Sequence, residues 1–207
     1  MTAASPVVMI GTVAMEQLVS LCERSYPRHN LEGHLLPVVR IAEMLAKRHG
    51  ADEGIVVPGA YLHDIGRVKF DYLKVIGINH DLSGYHYSRF FLKRIGVSPE
   101  LAESISRTVL THSGDCAHAP SNIEEEIVMN ADAVSHFTEY LYLLSIRYSN
   151  NGLNLRAAKD WVLKKLEKSY TTKLTLPGVT EFVEDFYDRA KKELSPDSGF
   201  VLLSDRI

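Results

Sequence analysis

Apolar residues recur at intervals of three and four along almost the whole chain, and runs of strict alternation are scarce. This is the pattern of amphipathic helices rather than strands, and it predicts an all-α fold. A first helix is expected from about Val13 to Ser25, followed by a polar stretch from Tyr26 to Gly33. The next helix should begin close to Gly33 and His34, because Pro37 is tolerated only in a first turn, and it should stop at His49-Gly50. Asp52 is a good cap for a third helix ending at His63-Asp64-Ile65-Gly66. Pro58 inside that segment should either kink it or shift its start. Arg67 to Asn79 reads as a connector. Further helices are expected over about Asp81–Ile95, Pro99–His112 (with Ser98 as its cap), Ile123–Tyr148, Leu155–Ser169 and Thr180–Glu193. Thr111 to Ser121 is expected to be a loop, and the tail after Pro196, with its Phe200-Val201-Leu202-Leu203 run, to be either a docked strand or loose.

The helical stripes carry an anomaly. His34 heads the face of Val38, Ile41 and Leu45, and His80 heads that of Gly84, Tyr87, Phe91 and Ile95. His112 closes that of Leu101, Ile105 and Thr108, while Asp132 lies beside Ile127, Ala131 and Val134. His63 and Asp64 follow Val56 and Ala60 by the same spacing. One core-facing histidine is commonly just a hydrogen-bonded core residue. Six ionisable groups on five inward faces would cost far too much solvation unless they satisfy one another or a metal.

Imidazole and carboxylate donors without a thiol suit Mn, Fe, Co or Zn and argue against a structural zinc finger. Six such donors support one or two ions, with one carboxylate able to bridge. Two divalent ions bring four positive charges and Asp64 and Asp132 cancel two, so the remainder favours an anionic ligand such as phosphate and acidifies bound water.

Composition narrows the partners. A net charge of −3 offers no basic excess for a nucleic-acid binder, and no apolar run reaches membrane-spanning length. Cys22 and Cys116 are isolated thiols, as expected of a reduced cytoplasmic protein, and the first residues lack the basic leader of a signal peptide.

The ordered set Gly33-His34, Leu62-His63-Asp64-Ile65-Gly66-Arg67, His80-Asp81-Leu82-Ser83-Gly84, Val109-Leu110-Thr111-His112 and Asn130-Ala131-Asp132 resembles the HD superfamily of metal-dependent phosphohydrolases. The resemblance covers residues 33–136, about half of the chain. It implies a single HD-type domain over residues 1–207: a compact multi-helix bundle with a metal site between helices and a C-terminal helical extension over residues 150–195. It further implies that His34, His63, Asp64 and Asp132 hold one metal, and that His80 and His112 allow a second. His86 is a rival to His80, but it shares a face with Leu82, Arg89 and Lys93 that looks solvated.

Many members of the family carry Lys where this chain has Arg67. Arg67 and nearby Lys69 are therefore expected, with Asp64 and His63, to form the catalytic set. The implied activity is hydrolysis of a phosphate ester or anhydride, of a nucleotide or another small phosphorylated metabolite, by metal-activated water, with room for a homodimer. Two alternatives follow from the same resemblance. One is a di-iron oxygenase that cleaves a carbon bond with O₂, for which Tyr26 and Glu32 would be gating residues. The other is a non-catalytic metal- or nucleotide-binding module. Around the site, Ser113, Asp115 and His118 are expected near the mouth, and Ser135 and His136 behind the ligands. Trp161, Tyr140, Tyr142 and Tyr148 read as core.

Overall fold

The structure, a computed structural model, describes residues 10–114, 118–150 and 154–195. Asp115, Cys116 and the tail after Pro196 lie outside them. Among the described residues the regular structure is helical throughout, with no strand. The chain divides into two compact units, with the boundary between Asp132 and Ala133.

In the first unit, α1 (Thr12–Ser25) is followed by a short α2 (Arg28–Asn30), which runs directly into a π-helical turn, Leu31–Leu35, and then α3 (Leu36–His49). The polar stretch is thus helical from Arg28 onward, and His34 lies inside a π turn. Pro37 supplies a reason. It has no N–H to complete the α ladder at that point, and the preceding N–H of Leu36 bonds back five residues to Leu31 O. Gly50, at φ 68°, terminates α3 in the left-handed conformation that glycine adopts without a Cβ penalty.

Asp52 caps α4 (Glu53–Leu62) by accepting from Gly54 N at 2.7 Å, so Pro58 lies within the helix and does not move its start. Beyond it, the expected connector is instead α5 (Ile65–Phe70) followed by a 3₁₀ segment, Asp71–Ile76. Then come α6 (His80–Arg94) and α7 (Pro99–Thr111), the latter capped by Ser98 Oγ accepting from Leu101 N. α6 packs on α5 and α7, and α4 packs on α3 and α7. Fully buried Leu18, Leu35, Leu62, Ile65, Leu92 and Ile105 form the centre of this core.

The expected single helix from Ile123 to Tyr148 is two, α8 (Ile123–Thr138) and α9 (Tyr140–Asn150), interrupted at Glu139. In the first unit the start of α8 is tied to α7 by buried Glu125, which accepts from both Arg107 Nε and Nη2 at 3.2 Å and from Ser121 and Asn122. The second unit holds α9, α10 (Leu155–Thr172) and α11 (Val179–Leu194). Its interior contains Val162, Leu166, Val183 and Ala190, with Phe137, Tyr170 and Tyr187 in mutual ring contact. Here Tyr140 hydrogen-bonds Glu193, Arg147 stacks 3.6 Å over the Trp161 ring, and Tyr148 is exposed.

Candidate metal centre

His63 and His112 are placed by one device used twice. Each follows the last residue of a helix, α4 or α7, where the final carbonyls have no intrahelical donor. His63 Nδ1 donates to Ala60 O and His112 Nδ1 to Val109 O, both at 2.7 Å and both three residues back. These bonds fill orphan acceptors and put the proton on Nδ1. The Nε2 lone pairs are left aimed away from the helices and into the interior.

What they face explains the arrangement. His63 Nε2 lies 3.1 Å from His34 Nε2, too close for two ring nitrogens unless a proton or a cation lies between them. His34 Nε2 is 3.4 Å from Asp132 Oδ1 and 3.8 Å from Asp64 Oδ2. The other Asp64 oxygen, Oδ1, is 3.5 Å from both His80 Nε2 and His112 Nε2. The side chains therefore form two triads, His34–His63–Asp132 and Asp64–His80–His112, in each of which the ligand atoms lie within 4.8 Å of one another. Asp64 turns one oxygen toward each. Imidazole nitrogens and carboxylate oxygens that converge in this way are a donor set that fits a divalent cation in each triad.

Elements of quite different character bring these groups together. His34 comes from the π turn, and Asp64 sits between α4 and α5 with φ −103° and ψ 14°, which breaks the helix after His63 and leaves Asp64 Oδ2 3.9 Å from His63 Nε2. His80 opens α6. Gly66 allows α5 to approach it. A Cβ there would collide with His80 O and would lie 2.6 Å from Gly84 N.

Burial works against charge on Asp64, but the Arg67 guanidinium and His112 outweigh it and hold its pKa well below the usual carboxylate range. Burial lowers the His63 pKa to about 4, so this imidazole is neutral at pH 7. His112 is shifted upward: burial is overcome by the carboxylates of Asp64, Asp81 and Asp132.

Asp81, to which the sequence reading gave no role, belongs to this cluster. It is 7% exposed, and its Oδ1 lies 2.8 Å from His80 Nε2 and 3.7 Å from His112 Nδ1. Its Oδ2 accepts from Ser113 Oγ at 2.7 Å, while Oδ1 is a buried oxygen with no hydrogen-bond donor among the described residues. The available signal was its place immediately after His80 in the first turn of a helix, where a carboxylate also reads as a favourable but ordinary dipole partner.

The remaining expected residues divide. Arg67, 45% exposed, donates from Nε to Asp64 at 3.1 and 3.2 Å, and its Nη2 lies 2.8 Å from His80 Nε2. Lys69 points elsewhere, with its ammonium 5.5 Å from the centre of the Tyr87 ring. His86 is exposed beside Tyr85. Glu32 is taken up by an exposed pair with Arg28, whereas Tyr26 is buried. His118 is exposed. His136, in the second unit, is buried against Ser169 Oγ at 3.0 Å, and Ser135 is also buried.

The HD domain family model matches residues 31–136, which contain every residue of the two triads, and the chain belongs to the HD-domain family. Ribonuclease Y of Rubrobacter xylanophilus is 32% identical over 120 residues, 57% of this chain and 20% of that protein. A tRNA (cytidine(56)-2'-O)-methyltransferase of Thermoplasma volcanium is 29% identical over 154 residues, 69% of this chain and 42% of that protein. The chain thus spans a fifth of the first relative and under half of the second. The crystal structure of a predicted HD superfamily hydrolase from an uncultured Thermotogales bacterium shares the fold, with a TM-score of 0.52 at 19% identity, covering 84% of this chain and 92% of that one.

Proposed function

We propose that this protein is a metal-dependent phosphohydrolase, cleaving a phosphate ester or anhydride of a nucleotide or another small phosphorylated metabolite. The observation that carries the reading is the pair of His/Asp triads on either side of Asp64, with imidazole nitrogens and carboxylate oxygens converging. On this reading His34, His63 and Asp132 with one Asp64 oxygen hold one divalent ion, and His80, His112 and the other Asp64 oxygen hold a second. Such ions supply Lewis acidity toward a phosphoryl oxygen and lower the pKa of a bound water.

The chain's own groups do the rest. Asp64 spaces the two triads and keeps its charge through its neighbours. With Asp81 counted, three carboxylates face four positive charges, and the half-exposed Arg67 adds a cation able to grip a phosphoryl group by a forked contact. Lys69, directed to the Tyr87 ring, has no part in this proposal. Two relatives, Ribonuclease Y and the tRNA methyltransferase, are named for RNA chemistry, which favours a nucleotide-like phosphate over an unrelated ester.

The test is phosphate release by the metal-stripped protein after reconstitution with Mn²⁺, Co²⁺ or Zn²⁺, across nucleotides and simple phosphate esters, with oxygen excluded. Metal-dependent release is expected, with Asp64→Ala lowering it about 100-fold or more while the helical circular-dichroism signal is retained. Turnover that is unchanged in Asp64→Ala, or that requires O₂, would overturn the reading.

A further inference from the structure

The second triad places two opposed demands on one nitrogen. His80 Nε2 lies 2.8 Å from Arg67 Nη2, which can only donate, and 2.8 Å from Asp81 Oδ1, which can only accept. One ring nitrogen cannot serve both. Protonated, it bonds Asp81 and clashes with the guanidinium; unprotonated, it accepts from Arg67 and turns its lone pair toward a carboxylate. Arg67 also holds Asp64 Oδ1, the oxygen that faces His80 and His112. The guanidinium thus occupies donors of the second triad.

Building on the metal-site reading above, we propose that Arg67 is a resident competitor for the second metal ion. Its guanidinium supplies the positive charge that Asp64, Asp81 and His80 require in the metal-free protein, and it must swing out before a divalent cation can enter the Asp64–His80–His112 triad. Its position permits this. Arg67 is nearly half exposed and lies on a short helix, so the guanidinium can exchange the site for water. The two ions are then unequal. Arg67 lies against the second triad, which therefore fills at an affinity reduced by the fraction of molecules in which the guanidinium is seated. Once displaced, the same side chain stands at the edge of the site with its forked donors free for a phosphoryl group.

Mn²⁺ binding to the metal-stripped full chain, followed by calorimetry and by the electron-paramagnetic-resonance signal of free Mn²⁺, tests this without any substrate. The wild-type protein should bind one ion tightly and a second more weakly. In Arg67→Ala and in Arg67→Gln the second ion should tighten about three- to tenfold, the range open to a partly exposed pair, while the first changes little. Asp64→Ala should lose the second ion altogether. If the first ion binds but the second is unchanged or weaker in both Arg67 variants, the competitor proposal is wrong and the metal-site reading stands. If no ion binds in any of these proteins, both fall.

Discussion

At the scale of residues, the site is a problem of proton placement. The bonds from His63 Nδ1 to Ala60 O and from His112 Nδ1 to Val109 O fix where two protons sit, and so decide which nitrogens are available as ligands. Titration carries a consequence for stability. His63 takes a proton near pH 4 when folded and near its ordinary 6.5 when unfolded. Between those values the unfolded chain binds more protons, so folded stability falls as the pH drops from 6.5 toward 4, by roughly 3 kcal/mol in all. The other shifts do not fill this window. The raised His112 contributes stability that is fully present below 6.5 and lost only as pH rises through its folded pKa. The depressed Asp64 and Asp81 contribute stability present above the ordinary carboxylate value of 3.8 and lost below it. Urea denaturation of the metal-stripped protein from pH 7 to 4.5 checks this. A flat profile would contradict it, and His63→Asn should flatten the profile of whatever stability remains.

At the scale of elements, three irregularities assemble the cluster: the π turn at Leu31–Leu35, the break at Asp64 and the close approach of α5 to α6 at Gly66. Gly66→Ala should cost about 1–3 kcal/mol through overpacking, since the obstacles are backbone atoms of α6 that cannot rotate away. It should also weaken metal binding more at the triad containing His80 than at the one containing His34. Thermal unfolding and Mn²⁺ titration measure the two effects, and equal losses at both triads would contradict the account.

These irregularities also mark what the sequence could not disclose. Hydrophobic periodicity located the helices around Val38–Leu45 and Leu101–Thr108, and the caps at Asp52 and Ser98, because those depend on local chemistry. It read Tyr26–Gly33 as a polar stretch and Arg67–Asn79 as a connector because both are polar or broken in pattern, although most of each is helical. It also ran straight through Glu139, where the apolar spacing gives no sign of an interruption. His34, His63, Asp64, His80, His112 and Asp132 stood out because each is an ionisable residue on an apolar stripe. Asp81 did not, because its involvement arises from α6 meeting the end of α7, a tertiary contact that leaves no periodic trace.

At the scale of the whole molecule, every group of the two triads lies in the first of two compact units, and the family match extends only from residue 31 to 136. The second unit, with α9, α10 and α11, has its own apolar interior, and among the described residues it supplies none of the groups in these triads. No helix among the described residues is long and apolar enough to cross a membrane. The fold therefore concentrates its chemistry in one place, where three buried or largely buried carboxylates and four imidazoles meet one half-exposed arginine. The most direct test of that picture is the number of divalent ions per chain after reconstitution at saturating Mn²⁺ and removal of free metal by rapid gel filtration, with Asp64→Ala in parallel. The account predicts between one and two ions for the wild-type protein, rising toward two as the free Mn²⁺ in the column buffer is raised, and at most one for Asp64→Ala. A wild-type protein that retains none at any Mn²⁺ concentration would contradict it.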